Sequence, residues 1–112
     1  MNIASLIPLP GRREPFRRDR ERFVPVKAGC YALTTFGGVV LYVGLAVNLR
    51  RRMNDHLDTP EKVNLTKHGR AVWFHWLETD ETSKVERTWL NIHIQHEGEM
   101  PILNQIYSAV ST

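Results

Sequence analysis

The sequence is poor in cysteine and has no long apolar run, and each shortage excludes a class of protein. Cys30 is the only cysteine, so no internal disulfide can form, which fits a reducing cytosol. A membrane-spanning helix needs about 20 consecutive apolar residues. The longest mostly apolar stretch, Gly37 to Val47, is too short and contains three glycines. The N-terminal charges follow a short apolar part, the reverse of a secretory signal. These absences predict a cytoplasmic protein without a membrane segment.

Internal repeats, low-complexity runs, phosphate-cradling glycine loops and serine–histidine–aspartate motifs are also missing. With 112 residues, 42% of them hydrophobic, the chain can fill one modest core. Its net charge of +3 and pI near 9.4 favour a polyanionic partner such as nucleic acid. The positive charge is concentrated, because residues 12–22 contain six arginines and three acidic residues while the remainder balances to zero.

The basic segment, together with three of the six prolines, leads to a division of the chain into two parts. Residues 1–22 are expected to form a basic, irregular N-terminal arm, and residues 23–112 the folded domain. The surplus charge of the arm can displace counterions from phosphates and so add affinity for nucleic acid. The alternative is a solvated tail with no role in binding.

The folded domain alternates short apolar runs with helical patterns. Two strands, Gly29 to Thr34 and Val39 to Gly44, flank Gly37-Gly38, which is a hairpin signal. A helix capped by Asn48 is predicted to run to about Leu57, and a strand follows over Ala71 to Leu77. The capping-box pair Ser83 and Glu86 predicts the start of a second helix, which ends at about Glu97 before Gly98. Pro101 to Asn104 is predicted to form an extended return. This order predicts an α+β fold with a small three-stranded antiparallel sheet flanked by helices.

Tyr31 and Tyr42 occupy matching places in the hairpin. If the loop has two residues, the two tyrosines share one face of the sheet, whereas a three-residue loop would place them on opposite faces. Gly29 and Gly44 stand at the far ends of the strands, where a bare backbone allows another element to approach closely. Two aromatic residues that stabilise a small sheet would explain the pattern without any chemistry.

The helix after the hairpin places one charged residue beside an apolar face. Leu49, Met53 and His56 share a face at the helical period. Arg52 lies at the edge of that face, whereas Arg51 points away and belongs to a solvated surface. An arginine turned toward the hairpin needs an anionic partner, either a protein carboxylate or a phosphate.

Glu86 has two possible roles in the first turn of the last helix. As part of the capping box it would bond back to Ser83. As a free carboxylate it would be a ligand for a hard cation such as Mg²⁺, which takes few protein ligands and keeps several waters.

Together these residues resemble the GIY-YIG nuclease family. Gly29-Cys30-Tyr31 and Tyr42-Val43-Gly44 are similar to the two motif strands of the family, each with another apolar residue in its middle position. Arg52 stands eight positions after Gly44, where the family has its arginine, and His56 matches the following histidine or tyrosine. Glu86 and the Pro101-Ile-Leu-Asn104 pattern match the later features. Leu45 departs from members that have a lysine, a proposed proton relay, after the second motif.

The resemblance implies a metal-dependent endonuclease that hydrolyses phosphodiester bonds in nucleic acid, with DNA favoured. The implied catalytic residues are Tyr31, Tyr42, Arg52, His56 and Glu86. Glu86 would hold one Mg²⁺ or Mn²⁺ ion, and Arg52 would bind phosphate oxygens. Tyr31 would position or deprotonate the attacking water, which requires cations to lower its pKa from the ordinary value near 10. Tyr42 and His56 would orient water or phosphate, and His56 could also pass a proton.

Further substrate contacts are expected from Arg50, Lys67, Arg70 and Asn104, with bracing of the sheet as an equal alternative for Asn104. The partner is single- or double-stranded nucleic acid, and a homodimer or larger complex is compatible with a domain this small. The alternative function is a nucleic-acid-binding module on the same scaffold that no longer cleaves.

Overall fold

The computed structural model describes residues 1–105, which include four strands, three α-helices and a helical segment over residues 102–105. The strands are β1 (Arg12–Pro15), β2 (Gly29–Thr34), β3 (Val40–Ala46) and β4 (Trp73–Glu78). The helices are α1 (Leu49–Leu57), α2 (Pro60–Val63) and α3 (Thr82–Glu97), and two short 3-10 helices cover Ile3–Ser5 and Arg18–Phe23. No helix within residues 1–105 is both long and apolar enough to cross a bilayer.

The strands form one antiparallel sheet in the order β1-β4-β2-β3. Tyr31 pairs with Gly44 on one side and with Trp76 on the other, and Leu33 pairs with Tyr42. A register shift follows Leu33, close to the turn. Tyr31 and Tyr42 share a face of the sheet because Leu33, the partner of Tyr42, lies two residues from Tyr31. The register shift produces this result, since the pairing of Thr34 with Val40 next to the turn is that of a three-residue loop, which alone would place the two tyrosines on opposite faces.

Helices cover both faces of the sheet and create two cores. On one face, Leu49 and Met53 of α1 pack with Tyr31, Leu33 and other residues in the larger cluster. On the opposite face, Val85 and Trp89 of α3 pack against Cys30, Ala32 and Val43. The predicted α+β class is confirmed. Strands β2, β3 and β4 were predicted, and the sheet has one strand more, β1.

The additional strand corrects the expectation that residues 1–22 are irregular. β1 pairs with β4 through partners such as Arg12 with Trp76 and Arg13 with His75. The same segment contributes Leu6 and Phe16 to the two cores, where both side chains are almost completely buried. Its sequence hides the strand because Arg-Arg-Glu-Pro has no apolar alternation, and a proline is tolerated at the end of an edge strand.

The helix boundaries agree with the sequence except at the start of α3. Asn48 caps α1, and its side chain accepts a hydrogen bond from the Arg51 N–H. Gly98 ends α3 in the left-handed conformation, with φ of 77°. However, α3 begins at Thr82 after Glu81, without a side-chain cap. The predicted capping box does not form, because Ser83 already lies inside the first turn.

The segment after α3 also differs from its prediction. Pro101 to Asn104 was expected to be extended, yet residues 102–105 are helical. The Pro101 carbonyl accepts hydrogen bonds from the N–H groups of Asn104 and Gln105. Proline suits the first position of a helix because its φ is fixed and its missing N–H would be unsatisfied there anyway.

Candidate active site

Tyr31, Tyr42 and His56 form a compact buried cluster between the hairpin and α1. The Tyr31 hydroxyl lies 2.5 Å from His56 Nε2, which is a hydrogen-bond distance. The centroid of the Tyr42 ring lies 6.0 Å from that of Tyr31 and 5.2 Å from that of His56. Phe74 stacks on the other side of Tyr31, with centroids 5.1 Å apart. The side chain of Tyr31 is thus fixed from several directions.

Gly44 makes room for the Tyr31 phenol. A Cβ atom built on Gly44 would lie 2.5 Å from the Tyr31 hydroxyl and 2.6 Å from Cζ, closer than real side chains approach. Gly29 is equally constrained, because its Cβ would lie 2.3 Å from the Leu77 carbonyl oxygen. Both glycines are therefore needed for close approach, as predicted for the ends of the hairpin strands.

Burial keeps both members of the Tyr31–His56 pair uncharged. It raises the pKa of Tyr31 well above 10, and the nearby Tyr42 adds to the shift while Arg52 opposes it. Burial, with the positive charges of Lys62 and Arg52, lowers the pKa of His56 to about 3. At neutral pH the site thus holds a neutral phenol next to a neutral imidazole, whose ring nitrogen can accept a proton.

Arg52 is the exposed cation at the edge of this cluster. It lies close enough to Tyr31, His56 and Lys62 for its charge to lower the pKa of all three groups. Its guanidinium makes no ion pair within the described part of the chain. This position agrees with the prediction that Arg52 lies at the margin of the inward face of α1. The anionic partner expected for Arg52 is therefore not a carboxylate of residues 1–105.

Lys62 is a residue of the site that the sequence did not reveal. It is only 3% exposed, and its Nζ lies 4.5 Å from the centroid of the Tyr42 ring. Burial lowers its pKa, with a smaller contribution from Arg52 in the same direction. A lysine in a polar loop is normally solvated, and only the short helix α2, with Pro60 at its start, turns this one inward.

Glu86 approaches the site from α3, which packs on the other face of the sheet. The thiol of Cys30, next to Tyr31, donates to the Thr82 carbonyl at 3.1 Å and so fixes the first turn of α3 against β2. Burial and then the Glu86 charge raise the pKa of Cys30 to about 12, and the same charge contributes to raising the pKa of Tyr31. Burial alone raises the pKa of Glu86.

With the capping box absent, the Glu86 carboxylate has no hydrogen-bond or ion-pair partner among residues 1–105. A half-buried carboxylate without a protein cation beside it has the chemistry of a ligand for a hard metal ion. No group of three or more metal-ligating side chains occurs in this range. Glu86 would therefore hold an Mg²⁺ or Mn²⁺ ion together with water molecules, an arrangement that suits Mg²⁺.

Comparison with protein families identifies the domain that carries this cluster. The sequence model of the GIY-YIG catalytic domain matches residues 27–97 of the 112-residue chain. The protein belongs to the GIY-YIG family. A comparison with curated proteins finds no match. Membership of a family of endonucleases implies nuclease-type chemistry on nucleic acid, in agreement with the resemblance of the two motif strands.

Within this GIY-YIG domain, two of the residues expected to bind substrate are held by the protein itself. The Asn104 side chain accepts a hydrogen bond from the Val43 N–H and donates one to the Val43 carbonyl, both at 2.9 Å. It thereby imitates a neighbouring strand beside β3, which favours the bracing alternative. The Arg50 guanidinium donates to the carbonyls of Val24 and Arg22 at 2.8 and 3.1 Å, so it ties α1 to the preceding segment.

Lys67 and Arg70 of the GIY-YIG domain remain exposed and available. Both belong to the loop before β4, where Thr66 and Gly69 form an isolated bridge. The loop packs on the hairpin turn, because a Cβ on Gly69 would lie 3.0 Å from the Thr35 methyl group. Their expected contact with substrate therefore involves the turn end of the sheet and stays a prediction.

Proposed function

We propose that the protein is a metal-dependent endonuclease that hydrolyses phosphodiester bonds in DNA. The observation that carries the proposal is the 2.5 Å contact between the Tyr31 hydroxyl and His56 Nε2. A neutral phenol bonded to a neutral imidazole can relay a proton from a bound water without first becoming charged.

The relay runs from water through Tyr31 to His56. The attacking water gives a proton to the phenol oxygen while the phenol proton moves to Nε2 of His56. The resulting hydroxide attacks phosphorus, the bond to the 3′-oxygen breaks, and the leaving 3′-oxygen takes a proton from solvent to become the 3′-hydroxyl. A Tyr31 phenolate formed in advance would need a lowered pKa, but burial raises it. We therefore assign the positioning of the water to Tyr31 and the acceptance of its proton to His56, whose pKa of about 3 has to rise when an anionic phosphate binds beside it.

Arg52 supplies the phosphate contact. Its guanidinium is exposed and has no carboxylate partner among the described residues, so a phosphate can take that place. A planar guanidinium offers paired N–H donors to two phosphate oxygens, which a lysine ammonium cannot do. Its charge opposes the negative charge that builds up as the water attacks.

Glu86 would hold the single metal ion. Bound there, the ion would act as a Lewis acid for the scissile phosphate and its leaving oxygen. Because the ion pairs with the Glu86 charge, its binding offsets the cost of burying that carboxylate. One site cuts one strand, so a double-strand break requires a homodimer or two encounters. We place the reaction in the cytoplasm, since Cys30 is the only cysteine and is a free thiol.

Cleavage assays on three substrates test the proposal. The protein is incubated with supercoiled plasmid, circular single-stranded DNA and RNA, each with Mg²⁺ and with chelator. The expected result is nicking of DNA that needs Mg²⁺ or Mn²⁺ and leaves a 3′-hydroxyl. Cleavage of RNA alone would change the substrate class. Binding without any cleavage would identify the alternative, a silent nucleic-acid-binding module.

A further inference from the structure

The turn end of the sheet carries an aromatic platform made of Phe36, Trp73 and Arg13. The Phe36 ring is 78% exposed, and its centroid lies 6.4 Å from that of the Trp73 ring. The Arg13 guanidinium stacks over Trp73 at 3.9 Å from the ring centroid. Exposing a large aromatic side chain forgoes the free energy of burying it, so this arrangement calls for an explanation.

Phe36 is displayed by a rigid turn. The Gly38 N–H donates to the Thr35 carbonyl at 3.0 Å, and the Val39 N–H donates to the Thr35 hydroxyl at 3.1 Å. The Trp73 indole N–H donates to the Phe36 carbonyl at 3.3 Å and ties the turn to β4. Little conformational entropy is therefore lost when a flat ligand stacks on the Phe36 ring.

The charges around the platform are positive. Arg13 belongs to β1, and the loop that packs on Thr35 brings exposed Lys67 and Arg70 to the same end of the sheet. None of these three side chains is in an ion pair with an acidic residue of the described chain. An aromatic ring flanked by unneutralised basic residues is complementary to a base and its adjacent phosphates.

We propose that the platform of Phe36, Trp73 and Arg13 binds unpaired nucleotides of the substrate by stacking a base on Phe36. The inference rests on the proposed function and extends it, since it assigns the enzyme a preference for nucleic acid with a single-stranded segment. Trp73 pairs with Thr34, three residues along β2 from Tyr31, so Trp73 and Arg13 lie on the face of the sheet that α3 covers, opposite the face that holds Tyr31 and His56.

Binding assays on a Glu86→Gln background, chosen to prevent cleavage, test the stacking. The probes are labelled single-stranded DNA, a duplex of the same length, an abasic strand with equal charge, and single-stranded RNA. Phe36→Ala should weaken binding of the base-containing single strands about tenfold and leave duplex and abasic binding unchanged. The DNA and RNA arms show which sugar is accepted. Ile94→Ala, at an exposed site on α3, is the matched control and should change nothing.

The salt dependence of binding distinguishes the contribution of charge from the contribution of stacking. Arg13→Gln should reduce the slope of log affinity against log salt by about one, whereas Phe36→Ala should leave it unchanged. Equal losses of affinity for base-containing and abasic strands would overturn the proposal, as would no loss at all. A third outcome would identify the platform as a membrane contact and overturn the proposal: wild type binds anionic lipid vesicles, and Phe36→Ala abolishes this binding but leaves DNA binding intact. If wild type cleaves DNA in these cases, the proposed function survives. Failure of the proposed function would instead appear as absence of cleavage by wild type, whether or not it binds nucleic acid.

Discussion

The phenol of Tyr31 occupies the space that a side chain on Gly44 would need. The two residues are direct partners in the β2–β3 register, so the ring crosses from its own strand onto the bare backbone of the next. From there its hydroxyl meets His56 on α1. The glycine of the second motif strand thus determines where the contact between Tyr31 and His56 forms.

Gly44→Ala is therefore expected to abolish cleavage. The new methyl group would lie 2.5 Å from the Tyr31 hydroxyl and would push the ring away from His56. Steady-state assays should show a fall in kcat of at least about a hundredfold, as for the loss of one strong catalytic interaction. Gly37→Ala is the control, because a Cβ there meets nothing within 4 Å. An active Gly44→Ala enzyme would mean that the Tyr31–His56 contact is dispensable.

Acid should unfold the protein through its buried histidines. The pKa of His56 is lowered to about 3 and that of His75 to about 4, whereas both are near 6.5 in the unfolded chain. Stability is thus complete above pH 6.5 and falls below it, because only the unfolded chain takes up the protons. Each histidine contributes up to about 1.4 kcal/mol per pH unit. Denaturant unfolding at pH 7, 6 and 5 measures the slope, which His56→Gln should reduce. A free energy of unfolding independent of pH over this range would show that these histidines are not buried in the neutral form.

Lys62 should set the lower pH limit of cleavage. Its positive charge is the second-largest cause of the low pKa of His56, after burial. Lys62→Met removes the charge and keeps the length of the side chain, so the pKa of His56 rises. The acid limb of the pH–rate profile should then move to higher pH. Lys27→Met, which changes an exposed lysine outside the site, is the control. If Lys62→Met cleaves more slowly but the acid limb of its pH–rate profile stays at the same pH, the role of Lys62 is packing alone.

The arginines of residues 12–22 should affect affinity unequally. Arg18 and Arg20 are ion-paired with Asp58 and Glu14, whereas Arg12 and Arg22 have no such partner in the described structure. Arg12→Gln and Arg22→Gln should each reduce the salt slope of DNA binding by about one, and Arg18→Gln by less. The test uses single substitutions and not deletion of residues 1–22, because deletion would remove the buried Leu6 and Phe16 and destabilise the fold. Equal effects of all three variants would favour a uniformly solvated segment.

The sequence predicted those parts of the site that depend on local periodicity. The inward phase of His56 follows from the repeat of a helix. The shared face of Tyr31 and Tyr42 stayed open, because it depends on the register shift between Leu33 and Thr34, which the sequence does not specify. β1 was missed because its pairing with β4 is long-range and its residues are charged. Lys62 was missed for a similar reason, since only the position of α2 against Tyr42 buries it. The capping box failed because the spacing of Ser83 and Glu86 does not specify where the helix begins.

The central claim is that Glu86 acts through its charge as the metal ligand. Glu86→Gln keeps the size and hydrogen-bonding groups of the side chain and removes the charge that would hold Mg²⁺. The account predicts that cleavage of DNA in Mg²⁺ falls by about 10²–10³, while DNA binding persists or tightens because a negative charge near the phosphate is gone. The measurement is the single-turnover cleavage rate at saturating protein, with affinity determined in parallel. A Glu86→Gln protein that cuts at close to the wild-type rate in Mg²⁺ would contradict the account.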